Sequence, residues 1–86
     1  MPSFNQRLGL TRFEADEYYQ RALDAYKKRD FDVALDAMND AIDLMPRKAE
    51  YLAARGFIFL EDGEQKRALD DFHAALVLNR YEMLAH

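Results

Sequence analysis

Ala34-Leu35-Asp36-Ala37-Met38-Asn39-Asp40-Ala41-Ile42-Asp43-Leu44 returns 34 residues later as Ala68-Leu69-Asp70-Asp71-Phe72-His73-Ala74-Ala75-Leu76-Val77-Leu78. In each stretch the apolar residues fall at spacings of three and four, the pattern of a helix with one side turned to a core. The offset carries the match outward: Ala15 and Arg21 recur as Ala49 and Arg55. The exchanges keep size or polarity, with Met38 against Phe72, Ile42 against Leu76, Ala22 against Gly56 and Asp30 against Glu64. A unit repeated at a fixed period stacks on its copies, because one unit alone cannot bury its apolar face. The useful surface of such a protein is the one the stack creates.

Local signals place the helices. Residues 3 to 8 are expected to form one helical turn closed by Gly9, which tolerates a left-handed cap. Thr11-Arg12-Phe13-Glu14 has the form of a capping box, in which the hydroxyl and the carboxylate each satisfy a free backbone N–H. The helix it starts is expected to run to about Lys28, with Lys27, Lys28 and Arg29 complementing the negative end of the dipole. A second helix should span Phe31 to Met45 and end at Pro46, since the residue before a proline is pushed out of the helical region. A third should span Lys48 to Glu61, stopping at Asp62-Gly63, and a fourth should run from Glu64 or Gln65 to Asn79. Links this short require antiparallel neighbours. The expected fold is all-α, a stack of two antiparallel helical hairpins. Residues 1–14 are an N-terminal extension and helix start, 15–48 the first repeat and 49–82 the second. Residues 83–86 read as the start of an incomplete third repeat or as a capping tail.

Composition narrows the function. The chain has 86 residues, enough for one small domain, with 50% hydrophobic and 33% charged residues and a net charge of −4. Nucleic-acid binding needs a basic face to exchange for phosphate counterions. Lys27-Lys28-Arg29 is the one basic run, so no nucleic-acid partner is expected. With no cysteine, disulfides and thiolate metal sites are excluded, and a cytoplasmic location is expected. No run reaches the roughly 18 apolar residues of a membrane span, and Met1 to Arg7 lacks the apolar core of a signal peptide.

The pattern resembles the tetratricopeptide repeat, whose signature is W-x2-L-G-x2-Y followed by A-x3-F-x2-A and a late proline. In the second repeat Leu52, Arg55-Gly56 and Phe59 stand where the Trp, Leu-Gly and Tyr fall, and Ala68, Phe72 and Ala75 match the second-helix triad. In the first the matches are Tyr18, Arg21-Ala22 and Ala25, then Ala34, Met38, Ala41 and Pro46. Arg80 replaces the second proline, and Arg21 and Arg55 replace the usual Leu. The resemblance covers residues 15 to 82 and implies an alpha-alpha superhelix. Gly56, Ala22, Ala34 and Ala68 are small where two helices of a hairpin cross closely, and Phe59, Phe72 and Met38 fill the space beside the crossings.

The resemblance also implies where a partner sits. In this family the first helix of each repeat lines a concave groove for a peptide. That register puts Tyr19, Leu23 and Tyr26 beside Ala53, Phe57 and Leu60, an apolar strip edged by acids. The Lys, Asn and Arg cluster with which chaperone-binding members clamp a terminal carboxylate is replaced here by Tyr, Leu, Ala and acids. An apolar groove suits an amphipathic helix or an extended apolar peptide. A second apolar surface is expected on the fourth helix. Leu69, Phe72 and Leu76 lack a covering helix unless Tyr81, Met83 and Leu84 fold back over them, and exposed apolar patches attract partners. A homodimer joined through this end is therefore expected.

Chemistry is poorly supplied. His73 and His86 lie too far apart for a helical zinc pair. Asp30, Asp32 and Asp36 sit at calcium-loop spacings, but Ala34 and a missing glycine break that pattern. Ser3 is the one serine and has no base near it. No cofactor, no metal and no enzymatic activity are expected. The leading function is a protein-interaction scaffold binding a peptide or amphipathic helix. The alternatives are a self-assembly module, or the N-terminal repeat segment of a larger protein.

Overall fold

A computed structural model describes residues 11–85. The expected turn over residues 3–8, Gly9, Ser3 and His86 lie outside them. Four helices fill the described residues, with no strand among them: α1 (Thr11–Lys27), α2 (Phe31–Leu44), α3 (Ala49–Glu61) and α4 (Gln65–Ala85). The fold is all-α. α1 packs on α2 and α3 on α4, and contact between α2 and α3 joins the two pairs into one stack.

The turn inside each pair is built by the same hydrogen bonds. After α1, the Asp30 N–H donates to the Ala25 carbonyl at 2.9 Å and the Arg29 N–H to that of Tyr26 at 2.9 Å. After α3, the Glu64 N–H donates to Phe59 at 2.8 Å and the Gly63 N–H to Leu60 at 3.2 Å. This six-to-one and five-to-two pairing is the Schellman motif, which needs a left-handed residue at its penultimate position. Arg29 and Gly63 occupy it, with φ of 61° and 83°. Asp30 then serves as the N-cap of α2, its carboxylate accepting from the Val33 N–H at 3.4 Å. That role accounts for an aspartate otherwise suggestive of a calcium loop.

The stops differ between the pairs. α2 ends at Leu44, with the Met45 N–H closing back on the Ala41 carbonyl and Pro46 preventing continuation. α4 has Arg80 where that proline would recur, and nothing interrupts it. It runs through Asn79 to Ala85, so the expected separate element after Asn79 is a continuation of the same helix. Tyr81, Met83 and Leu84 extend along its axis and do not fold back over it.

The main core lies inside the first pair and under the α3 face that covers it. Ala15, Ala22, Ala34, Met38 and Ala41 are fully buried and cluster with Tyr51 and Ile58 of α3. The α3–α4 crossing depends on a glycine. A Cβ on Gly56 would stand 2.7 Å from the Phe72 ring, closer than real contacts allow. Gly56 is what lets the Phe72 ring lie against α3.

Candidate functional site

The groove of interest runs between α1 and α3. Tyr19, Leu23 and Tyr26 succeed one another at intervals of four and three along α1, so they share one face. Ala53, Phe57 and Leu60 are their counterparts 34 residues later on α3. The structure brings five of these six together. Tyr19, Leu23, Tyr26, Ala53 and Phe57, with Glu50, Ala54 and Ile58, line an open cavity of about 380 Å³, within the size range of ligand pockets. Leu60 lies outside this lining and is 46% exposed.

The walls are firmly held. Phe57 is 57% exposed yet braced from behind, its ring meeting that of Phe72 edge-on at 5.1 Å. The Tyr26 ring stands 6.2 Å from that of Phe31. Tyr19 leans on Tyr51, with ring centroids 4.9 Å apart.

Tyr51 anchors one end. It is fully buried, and its hydroxyl donates to the Asp16 carboxylate at 2.6 Å. The Lys48 ammonium approaches the same carboxylate at 3.7 Å and lies 4.9 Å from the Tyr51 ring centroid. The hydroxyl bond and then the Lys48 charge hold the Asp16 carboxyl below its ordinary range. Burial, reinforced by Asp16, pushes the Tyr51 phenol far above its own. The cluster ties α1 to the start of α3 and so sets the groove's width at that end. The exchange of Glu17 for Tyr51 at the repeat offset is the one trace of it in the sequence.

No protein-family model and no curated protein matches the chain. The groove's lining is aromatic and aliphatic with one carboxylate, Glu50, at the edge. Among the described residues no three histidine, aspartate or glutamate side chains are grouped to hold a metal, and His73 is exposed on α4. Such a lining can exclude water from an apolar surface.

A second polar cluster has no spacing in the sequence that marks it. Arg55 grips the buried Asp71 with two bonds, Nε to Oδ2 at 2.8 Å and Nη2 to Oδ1 at 2.7 Å. Its Nη1 donates to Asn39 Oδ1 at 2.9 Å. These bonds tie α3 to both α2 and α4, and hydrogen bonding to Asp71 raises the Arg55 pKa. The cluster is a fastening of α3 to its neighbours, with three of the guanidinium's donors engaged.

The six α4 residues of the expected apolar patch divide. Leu69, Leu76, Tyr81, Met83 and Leu84 are between 66% and 81% exposed. Phe72 is not part of that open face, because it fills the space that Gly56 leaves at the α3–α4 crossing. Among the described residues no helix is long and apolar enough to cross a membrane.

Proposed function

We propose that this chain is a non-enzymatic interaction module of the tetratricopeptide type, whose α1–α3 groove receives an apolar peptide or the apolar face of an amphipathic helix. One observation carries the reading: equivalent positions of two repeats converge from two helices on a single cavity of about 380 Å³ lined by Tyr19, Leu23, Tyr26 and Phe57. Large, rigid aromatic side chains half open to solvent give much contact area for little lost freedom. A helix laid in the groove would present anchors three, four and seven residues apart. The proposal keeps the cytoplasmic setting expected from the cysteine-free composition.

Selection from a displayed library of random peptides tests this. Enriched peptides should carry aromatic or aliphatic residues at helical spacing and should bind Phe57→Glu at least about 30-fold more weakly. Leu76→Glu, on the far helix, should bind them as the parent does. Enrichment of no peptide, or of peptides indifferent to Phe57→Glu, would reject the groove.

A further inference from the structure

The outer side of α4 is a second surface, and it does not depend on the groove. α4 has 21 residues, about 31 Å of helix, whereas α3 has 13. Arg55 lies against Asp71 and Gly56 against Phe72, so Ala49 at the start of α3 is level with residues near Asn79. The last turns of α4, from Arg80 on, run past the start of α3, with Glu82 facing Ala49 and Glu50 only across an open cavity. Met83 and Leu84 in this overhang are 77% and 81% exposed.

The exposed residues are ordered. Leu69, Leu76 and Met83 are seven apart, and so are Val77 and Leu84, the spacing that lets one helix follow another along a seam. His73 and Arg80, both exposed, stand on the midline of the stripe. The order is also nearly symmetric about the bond between residues 76 and 77. Moving outward either way, the stripe passes an aliphatic residue (Leu76 or Val77), a nitrogen-bearing one (His73 or Arg80), the unlike pair Asp70 and Met83, then a leucine (Leu69 or Leu84).

We infer that α4 pairs with α4 of a second copy, antiparallel across a two-fold axis near the Leu76–Val77 bond. In that register Leu76 meets Val77 of the other copy, Leu69 meets Leu84, Met83 lies level with Asp70, and Arg80 meets His73 with that Asp70 one turn away. Asp70 can pair with the guanidinium, so the cation on the midline is answered by a carboxylate of the other copy. Each overhang lies on the part of the other α4 that is backed by its own hairpin. A self-complementary strip of this kind is what an isologous dimer requires. The exposed apolar side chains present several hundred Å² per copy, enough for a total near the roughly 1,000 Å² at which specific interfaces begin.

Light scattering over a wide concentration range should give about 20 kDa, twice the 10.1 kDa chain. Leu76→Glu should weaken the dimer at least about 30-fold with an unchanged helical spectrum, since Leu76 is 67% exposed and carries none of the core. Because the chain has no cysteine, engineered thiols report the register. Under mild oxidation Val77→Cys should form a covalent dimer. Leu84→Cys alone should not, its two copies lying about 22 Å apart along the axis. Leu69→Cys and Leu84→Cys together in one chain should. A monomer at every concentration overturns the inference, as does a dimer insensitive to Leu76→Glu. So does a dimer lost in Phe57→Glu but kept in Leu76→Glu, or ready cross-linking of Leu84→Cys alone, which requires parallel helices.

Discussion

The two hairpins share one plan, and they differ at the positions where the plan is under strain. Where the first has exposed Arg21 and buried Ala37, the second has Arg55 clamped on buried Asp71. Where the first places Arg29 in a left-handed turn, the second has Gly63. Where Ala22 is buried in the same cluster as Met38, Gly56 admits the Phe72 ring. The first hairpin is covered by Tyr51 and Ile58 of α3 and is held by apolar contact. The second has an open outer face on α4 and relies at its crossing on a bidentate ion pair. A shared period thus fixes where helices go while leaving each crossing to be solved separately.

The largest expected effect comes from removing one partner of the ion-paired crossing. Arg55→Leu leaves Asp71, whose side chain is 7% exposed, buried without its cation, which should cost about 3 kcal/mol or more. Adding Asp71→Ala copies the residue of the first hairpin and should return stability to within about 1 kcal/mol of the parent, because a buried ion pair contributes little net against apolar packing. Arg21→Leu, at the equivalent exposed site stacked on Tyr18, should change stability by less than about 0.5 kcal/mol. Urea unfolding of the four proteins checks this. A double variant no more stable than Arg55→Leu would mean that the pair holds the crossing by more than charge balance.

A smaller effect is expected at Tyr51, whose counterpart on α1 is the exposed Glu17. Tyr51→Phe removes the 2.6 Å bond to Asp16 but leaves that carboxylate open to water. The unfolding equilibrium should shift about tenfold at neutral pH. The pH dependence has a definite sign. The phenol's pKa is raised on folding, so its contribution is complete below about pH 10, the unfolded value. It is lost as pH rises further, because only the unfolded chain then ionises. Asp16, lowered on folding, contributes above about pH 4 and loses that contribution as pH falls through its depressed value. The bond thus supports the fold between these limits. An ultraviolet titration should show one tyrosine that ionises only on unfolding, and Tyr51→Phe should abolish that step. Retention of the step in the variant would assign it to another tyrosine.

What was legible in the sequence follows from what is local. The three-four spacing, Pro46 and Gly63 mark the helices because helix formation and its interruption are decided within a few residues. Five of the six groove positions come together because the register that relates Tyr19, Leu23 and Tyr26 to Ala53, Phe57 and Leu60 is a property of the period. The rest depended on pairing across distance. Arg55 and Asp71 are 16 residues apart and Tyr51 and Asp16 are 35 apart, and neither pair has a spacing that marks it. A retained arginine facing an Ala37-to-Asp71 exchange is the only hint of the first. Phe72 shares its spacing with Leu69 and Leu76, so it reads as one stripe with them. The space beside Gly56 decides that it turns inward. The length of α4 is not legible in the sequence because Arg80 in place of proline is the absence of a stop, and an absent stop does not say where the helix ends.

The smallest effect probes the turns, where both hairpins make the same hydrogen bonds through different residues. A left-handed conformation costs an ordinary residue about 1 kcal/mol or more relative to glycine. Gly63→Ala should therefore destabilise by about 1 kcal/mol, and since nothing lies within 4 Å of the added Cβ the loss would be purely conformational. Arg29→Gly should do the opposite, but by less. It relieves the same conformation while giving up the 3.9 Å ion pair with Glu61 and the guanidinium's position 5.2 Å from the Phe31 ring. The pair is exposed and worth little, and a glycine gains freedom in the unfolded chain. The net gain should be no more than about 0.5 kcal/mol. Thermal unfolding of the single variants and of the exchange Arg29→Gly with Gly63→Arg would resolve it. If Arg29→Gly destabilises, the stacking on Phe31 outweighs the backbone conformation, and the first turn is held by its side chain where the second is held by glycine.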